Sequence, residues 1–444
     1  MASHADQLAK NFSFSSFSKA ADLKKRIWFT IILLIIYRFG TYVPLPGINT
    51  VEVKNFTSDH SDGILAVLDL FSGGSILRMA IFSLNIVPYI SASIVFQLLT
   101  VIVPRLDEMR KDGESGQRQI NRYTRYLAVF FALVQGFGIA LALERINGGA
   151  LVFEKGAMFR FTTMTSLACG TLIVMWFGEQ IKSRGIGNGS SVIIYTGIVA
   201  NLPSSIKKMF VYASQGTISQ IALLGIILFI VALILCIVFF EKATRNIPIQ
   251  YPRRQTMTGF AKQQPSYLPL KINNAGVVPP IFASSLLLMP ATIYNFIRTP
   301  VVADSPSLFA KIAMMLRHGA PLYVFLFAIA IIFFSFFYTA IMFNPTETAD
   351  NFKKSGTYIP GIRPGESTAD YLDGVLTRLT VVGSLYLCAV CILPEILFSS
   401  VGLPQFLGGT SLLIMVGTTS DIVTQIQSQL MKQQYSSLFK RGMH

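Results

Sequence analysis

The stretch Ile218–Phe240, ISQIALLGIILFIVALILCIVFF, runs 23 residues without an Asp, Glu, Lys or Arg and is closed by Glu241 and Lys242. An α-helix rises about 1.5 Å per residue and the hydrocarbon core of a bilayer is about 30 Å thick, so about 20 such residues cross it. The whole chain is written in this way. Of its 444 residues 52% are hydrophobic and 13% charged, where soluble domains carry about a quarter charged residues. Ten segments are long enough to span: 23–43, 76–103, 126–143, 161–178, 186–203, 218–240, 275–297, 321–343, 375–398 and 406–427. The expected fold class is therefore all-α integral membrane with ten transmembrane helices. The N-terminus does not read as a cleaved signal, because its first apolar run is long, contains Arg38 and ends in Val43-Pro-Leu-Pro-Gly47.

Charge gives the orientation. The net charge is +15, which in a soluble chain points to nucleic acid. Here 26 of the 37 Lys and Arg residues fall in the loops, tails and span ends on the side that also holds both termini, against 10 on the other side. That bias puts both ends in the cytosol. Trp28 and Trp176 then lie at the cytosolic interface, where indoles collect. The basic balance is thus mostly topology, although the cytosolic loops 241–272 and 344–374 are long for connectors and suggest docking sites.

Residues 44–75 are irregular. After Pro44 and Pro46 comes a polar stretch, then a short apolar piece, Ile64 to Phe71, then Ser72-Gly-Gly74. Eight residues cannot span. They read as a half-helix dipping in from the outer side, and irregular backbone survives at that depth only inside protein or beside a water-filled cavity. Uncharged polar residues within the spans (Asn85, Gln97, Gln135, Ser284, Ser285, Gln425) are compatible with a hydrated path lacking a fixed ion-binding charge. Arg38 reads as snorkelling or internally paired.

Several chemistries are excluded. Gly185-Ile-Gly-Asn-Gly189 lacks the Gly-Lys-Ser/Thr of a P-loop and follows no strand, so it reads as a glycine-rich helix start allowing close packing. A serine protease using Ser190 or Ser191 needs a base, and His4, His60, His318 and His444 all lie outside the spans. Cys388 and Cys391 form a C-x-x-C without a second pair and read as packing residues. No cofactor is expected. An ion-coupled transporter with inverted repeats is the alternative class, but it usually needs mid-span acids or broken helices.

Longer motifs then become specific. Arg184-Gly-Ile-Gly-Asn-Gly189, Leu268-Pro-Leu-Lys-Ile-Asn-Asn-Ala-Gly276, Pro279-Pro-Ile-Phe-Ala-Ser-Ser285, Phe343-Asn-Pro-Thr-Glu-Thr-Ala-Asp-Asn351, Ile359-Pro-Gly-Ile-Arg-Pro-Gly-Glu366, Pro88-Tyr-Ile-Ser-Ala-Ser93 and Phe406-Leu-Gly-Gly-Thr-Ser-Leu-Leu-Ile414 resemble, in order, signatures of the SecY family. The resemblance covers about residues 23 to 435. It implies a protein-conducting channel, not an enzyme, in a bacterial plasma membrane, translocating unfolded chains and releasing apolar segments sideways into lipid. It implies two pseudo-symmetric inverted halves, 23–203 and 204–427, between cytosolic tails 1–22 and 428–444. It also implies a re-entrant plug at about 63–74, carried by Ile64, Leu65, Val67, Leu68, Leu70 and Phe71.

By motif position the family's aliphatic pore ring falls on Ile86, Ile90, Ile194, Ile281 and Ile414. Its sixth place is Ser190, which leaves the ring one aliphatic short unless the plug or Val192 compensates. The lateral gate, between spans 2–3 and 7–8, is expected to use Ser91, Gln97, Ser284 and Ser285. Docking to a ribosome or the motor ATPase SecA is expected at Arg253, Arg254, Lys262, Lys271 and above all Arg363. Thr258-Gly259 stand where some members carry a basic pair. Small subunits resembling SecE and SecG, signal peptides and the bilayer are the remaining implied partners.

Overall fold

The computed structural model describes residues 21–53, 72–145, 150–216, 219–250, 255–256, 259–260, 266–297, 320–401 and 408–442. Ten long helices lie among them: α1 (Ala21–Gly40), α2 (Val87–Ile102), α4 (Glu114–Arg145), α5 (Ala157–Arg184), α6 (Gly189–Ser214), α7 (Gln220–Lys242), α8 (Val278–Ile297), α9 (Pro321–Met342), α11 (Glu366–Val401) and α12 (Gly409–Gly442). Two short ones, α3 (Pro104–Lys111) and α10 (Pro345–Lys354), lie between them. Each expected span falls on one of the long helices. Five are long and apolar enough to cross a membrane by length and composition, and the bent pair α2–α3 makes a sixth. On α7, Ile221, Leu224, Leu228, Leu235 and Phe239 face outward while Leu233 and Ile237 are buried. Only lipid or an apolar partner suits such a face.

Several boundaries differ from the sequence reading. The second span is helical only from Val87, and residues 72–86 form a buried run of turns. Met79 and Asn85 both adopt φ of 48° there, which a helix does not allow. The amides of this run pair with backbone, Ala80 N with Ser75 O at 2.9 Å and Ile81 N with Val43 O at 3.0 Å, and serine hydroxyls take further carbonyls. Ser75 Oγ donates to the carbonyl of Ser72 at 2.9 Å and lies 3.1 Å from that of Phe82, and Ser83 Oγ donates to that of Ser75 at 2.9 Å. The boundary between halves, expected at 203/204, falls inside α6, which runs through Pro203 to Ser214. The C-terminal tail continues α12 as far as Gly442.

Pro104 ends α2. It holds Val103 extended, opens α3 at its first turn and turns the chain by 100°. The glycine-rich motif performs a similar turn between α5 and α6. A Cβ on Gly189 would lie 1.8 Å from the carbonyl oxygen of Gly178, so the two helices touch backbone to backbone. The turn's amides are capped from elsewhere: Ile186 N donates to Thr30 Oγ1 of α1 at 3.1 Å, and Gly187 N to Gln425 Oε1 of α12 at 2.8 Å. The reading as a close-packing helix start matches this geometry.

Each half has its own core. In the first, Leu45, Leu143, Leu151, Phe159 and Leu167 pack together toward the outer side. In the second, Ile237, Phe282, Tyr323, Ile331, Leu387 and Cys391 pack together. Cys391 is a buried core residue, and Cys388 Sγ sits 3.6 Å from the carbonyl of Ala328. Gly189→Ala is expected to cost about 1–3 kcal/mol by prising α5 from α6. A thermal unfolding midpoint in detergent equal to wild type would remove the close approach as a constraint.

Candidate functional site: the seam between the halves

The halves meet along two lines. On one, α8 packs against α2 and α4; on the other, α12 packs against α6 and α1. Between these lines lies a third apolar cluster, built mostly by the first half (Leu33, Tyr37, Phe82, Phe177 and Ile198 among its buried members) and joined from the second by Ile414, with Val277 and Ile281 against it. Ile86 and Ile90 enter it from α2 and its cap, Ile194 from α6, Ile281 from α8 and Ile414 from α12. Ile86, Ile194 and Ile414 are 2%, 5% and 1% exposed, and Ile90 and Ile281 are half-buried. Spacing of four residues sets Ile86 beside Ile90 on one face. Five residues picked from sequence positions up to 328 apart are thus brought together.

Ser190 stands one turn before Ile194 and its hydroxyl donates to Asn188 Oδ1 at 3.2 Å. Val192 is 1% exposed and lies against Gly187, away from the isoleucine cluster. The expected plug residues Ile64, Leu65, Val67, Leu68, Leu70 and Phe71 lie outside the described residues. The segment that follows them is held. Arg38 donates to the carbonyl of Gly73, sits 3.3 Å from Tyr42 Oη and stacks over the Tyr42 ring at 5.2 Å. Arg38 is therefore internally paired.

Of the expected gate residues, Ser91 and Gln97 lie on α2 and Ser284 and Ser285 on α8, the two helices that meet on the first line. Ser284 Oγ donates within its own helix to Ile281 O at 2.9 Å, and Gln97 Nε2 to Ser93 Oγ at 3.3 Å. Gln97 Oε1 is buried and has no hydrogen-bond donor among the described residues, an unmet acceptor at the seam.

The two cytosolic loops form one folded unit. β1 (Thr244–Ile249) pairs antiparallel with β4 (Ser266–Lys271), and β2 (Gln255–Thr256) with β3 (Gly259–Phe260). Gln250 and Tyr358 exchange two backbone hydrogen bonds of 2.9 and 3.0 Å, and Tyr358 Oη donates to Gln250 Oε1 at 2.8 Å. Beneath them Ile247, Leu270, Ile359, Leu372 and Leu376 are buried together, with Phe343 and Phe352 against them. Lys271 and Arg363 are exposed on this unit, and Arg363's carbonyl accepts from Thr368 Oγ1 at 2.7 Å. Arg253, Arg254 and Lys262 lie outside the described residues.

Sequence reasoning missed two buried polar groups. Asn273 donates to Glu241 Oε2 at 3.3 Å and to Gly276 O at 3.2 Å, tying the end of α7 to the start of α8. Glu395 is 6% exposed beside Pro394 in α11. Glu241, just after the quoted apolar run, was the visible signal for the first; Glu395 sits among apolar residues and was open to view.

A family model described as SecY matches residues 80–423. The SecY protein translocase subunit of Rickettsia felis is 45% identical over 436 residues, 98% of this chain and 99% of that one. That of Escherichia coli K12 is 46% identical over 422 residues, 95% of each. Two solved structures each cover 92% of this chain and of their own with a TM-score of 0.64. One is a SecY whose plug domain stabilises the closed channel (17% identity), the other Sec61 in a canine ribosome–channel complex (16%). At that identity they show the fold. Leu372→Ala is expected to cost about 2–5 kcal/mol. It should expose both cytosolic loops together to limited proteolysis; cleavage of one loop alone would mean that they are separate units.

Proposed function

The chain belongs to the SecY family, and from that premise we propose how its seam conducts polypeptide. It is a protein-conducting translocation channel, a multi-pass membrane protein. The observation that carries the mechanism is that Ile281 and Ile414 of the second half join Ile86, Ile90 and Ile194 of the first in one apolar cluster. An unfolded chain carries charges and a polar backbone. On insertion scales a charge at mid-bilayer costs about 2.5–3.5 kcal/mol, and watery funnels above and below a short neck remove most of that cost. An apolar neck excludes water and ions when empty, by dewetting, and yields to a threading chain because isoleucine contacts are non-directional.

The ring is Ile86, Ile90, Ile194, Ile281 and Ile414. Ser190 lies one helical turn toward the cytosol, where its hydroxyl is occupied by Asn188, and five aliphatics suffice for the closed seal. Segment 63–74 is the plug, moored at Gly73 by Arg38. Apolar segments of the substrate leave where α8 meets α2 and α4, and there each Leu, Ile or Phe gains roughly 0.3–0.6 kcal/mol in lipid. Ser91, Gln97, Ser284 and Ser285 line that exit, and Gln97 Oε1 takes a passing donor.

The channel hydrolyses nothing itself. Driving energy comes from a partner, either SecA or the translating ribosome, or from the proton-motive force. The welded cytosolic unit is the docking surface, with Arg363, Lys271, Arg253, Arg254 and Lys262 meeting phosphate or carboxylate. Subunits resembling SecE and SecG cover outward apolar faces. Arg363→Glu should lower SecA-driven export at least tenfold while a purified channel still unfolds at the wild-type temperature.

The deciding experiment places photoreactive residues at Ile90, Ile281 and Ile414 and stalls a secretory chain in transit. Adducts at all three put the substrate inside the ring. A stalled chain that labels none of them would send it elsewhere. In the same complex, Ile414→Asn should raise the ion leak of proteoliposomes several-fold, and an unchanged leak would remove the ring from the barrier.

A further inference from the structure

The exit line between the halves is bridged on its cytosolic side by one hydrogen bond that spans 231 residues of sequence. Arg110 Nη2, in the last turn of α3, donates to the carbonyl oxygen of Ile341, in the last turn of α9. α3 packs on α2 and α4, the first half's side of that line. α9 packs on α8 and α11, the second half's side. The two ends of the bond therefore belong to the bodies that must part for lateral release.

The carbonyl is open for a reason written in the sequence. Within a helix the oxygen of residue 341 would accept from the amide of residue 345, and that residue is Pro345, which has no N–H. The last turn also carries the negative end of the helix dipole, which favours a guanidinium. Arg110 is held in place to reach it. Pro104 aims α3 at 100° from α2, and α3 lies against α4. On the other side, Phe343, just beyond α9, and Phe352, on α10, pack into the apolar floor of the docking unit. Anything that displaces that unit moves the acceptor.

We propose that Arg110 is a positioning residue that clasps the lateral exit shut by capping the C-terminus of α9, and that movement of the docking unit releases it. The inference rests on the channel reading above. When the clasp is closed, a signal must be apolar enough to open the exit against it. When it is lost, weaker signals suffice. Arg110 touches neither the ring nor the docking surface, so its effect falls on the opening equilibrium.

The test uses the full channel in its complex and two export reporters, one with a strongly apolar signal and one with a signal weakened by two polar substitutions. Arg110→Gln should raise export of the weakened reporter three- to tenfold, Arg110→Glu should raise it further, and Arg110→Lys should stay near wild type. Met342, 59% exposed beside the acceptor, allows the opposite change. Met342→Glu adds a carboxylate for Arg110, so it should lower weak-signal export, and that loss should vanish when Arg110→Gln is also present. A misfolded channel cannot produce a gain, and the strong reporter shows that each variant assembles. Weak-signal export that is unchanged or reduced in Arg110→Gln, with strong-signal export intact, overturns the clasp while leaving the channel reading standing. If the wild-type channel exports neither reporter and labels no stalled chain at Ile90, the channel reading falls and takes the clasp with it.

Discussion

Every peptide group placed in hydrocarbon must find its hydrogen-bond partner within the protein, and the rest of this structure follows from how that demand is met where helices stop. Helices satisfy it along their length. The run 72–86 is not a continuous helix, yet most of it is buried, and turn bonds between backbone groups together with the hydroxyls of Ser75 and Ser83 supply the partners that a helix would have provided. The turn between α5 and α6 is met by Thr30 and Gln425 from two other helices. These points of backbone irregularity lie around the seam. A channel needs a place where packing is interrupted, and this chain makes the interruptions affordable with small polar side chains.

Two cores and a seam also divide the energetics. Aromatic and aliphatic residues in each half pack among themselves, so either half stays folded when the contact between them loosens. Where the second half joins the seam it does so through Ile281 and Ile414, which meet Ile86, Ile90 and Ile194 in non-directional apolar contact. Among the described residues, polar fixings between the halves include Gln425 to Gly187 on one line and Arg110 to Ile341 on the other, both toward the cytosolic side.

The spans were legible because Ile218–Phe240 and its counterparts carry apolar runs that no soluble fold uses, and that Ile86, Ile90, Ile194, Ile281 and Ile414 share one cluster was legible through motif positions alone, since no periodicity marks Ile86 apart from Ile94. Residues 76–86 misread as helix because their composition equals that of a span. Only Asn85, a residue tolerant of positive φ, hinted at a turn, and Met79 gave no sign. The union of the two cytosolic loops was hidden for another reason. Gln250 and Tyr358 are 108 residues apart, and a single tyrosine on a loop carries no local signature of its partner. The α6 boundary failed because Asn201-Leu-Pro-Ser reads as a break, whereas a proline in a long helix braced by neighbours need not end it.

The last helix offers a mechanical reading. α12 holds Ile414 near its start and continues to Gly442, so about 28 residues, or roughly 42 Å at 1.5 Å per residue, separate Ile414 from the helix's far end. With Ile414 in a neck inside the bilayer, only about half of the core's roughly 30 Å lies on its cytosolic side, and the remainder stands in the cytosol as a mast. A tilt of about 5° around the ring swings its tip by roughly 4 Å at that length. The same leverage runs in reverse, so a soluble factor gripping the tip would feel the pore widen, and a small force there would act on Ile414 with mechanical advantage.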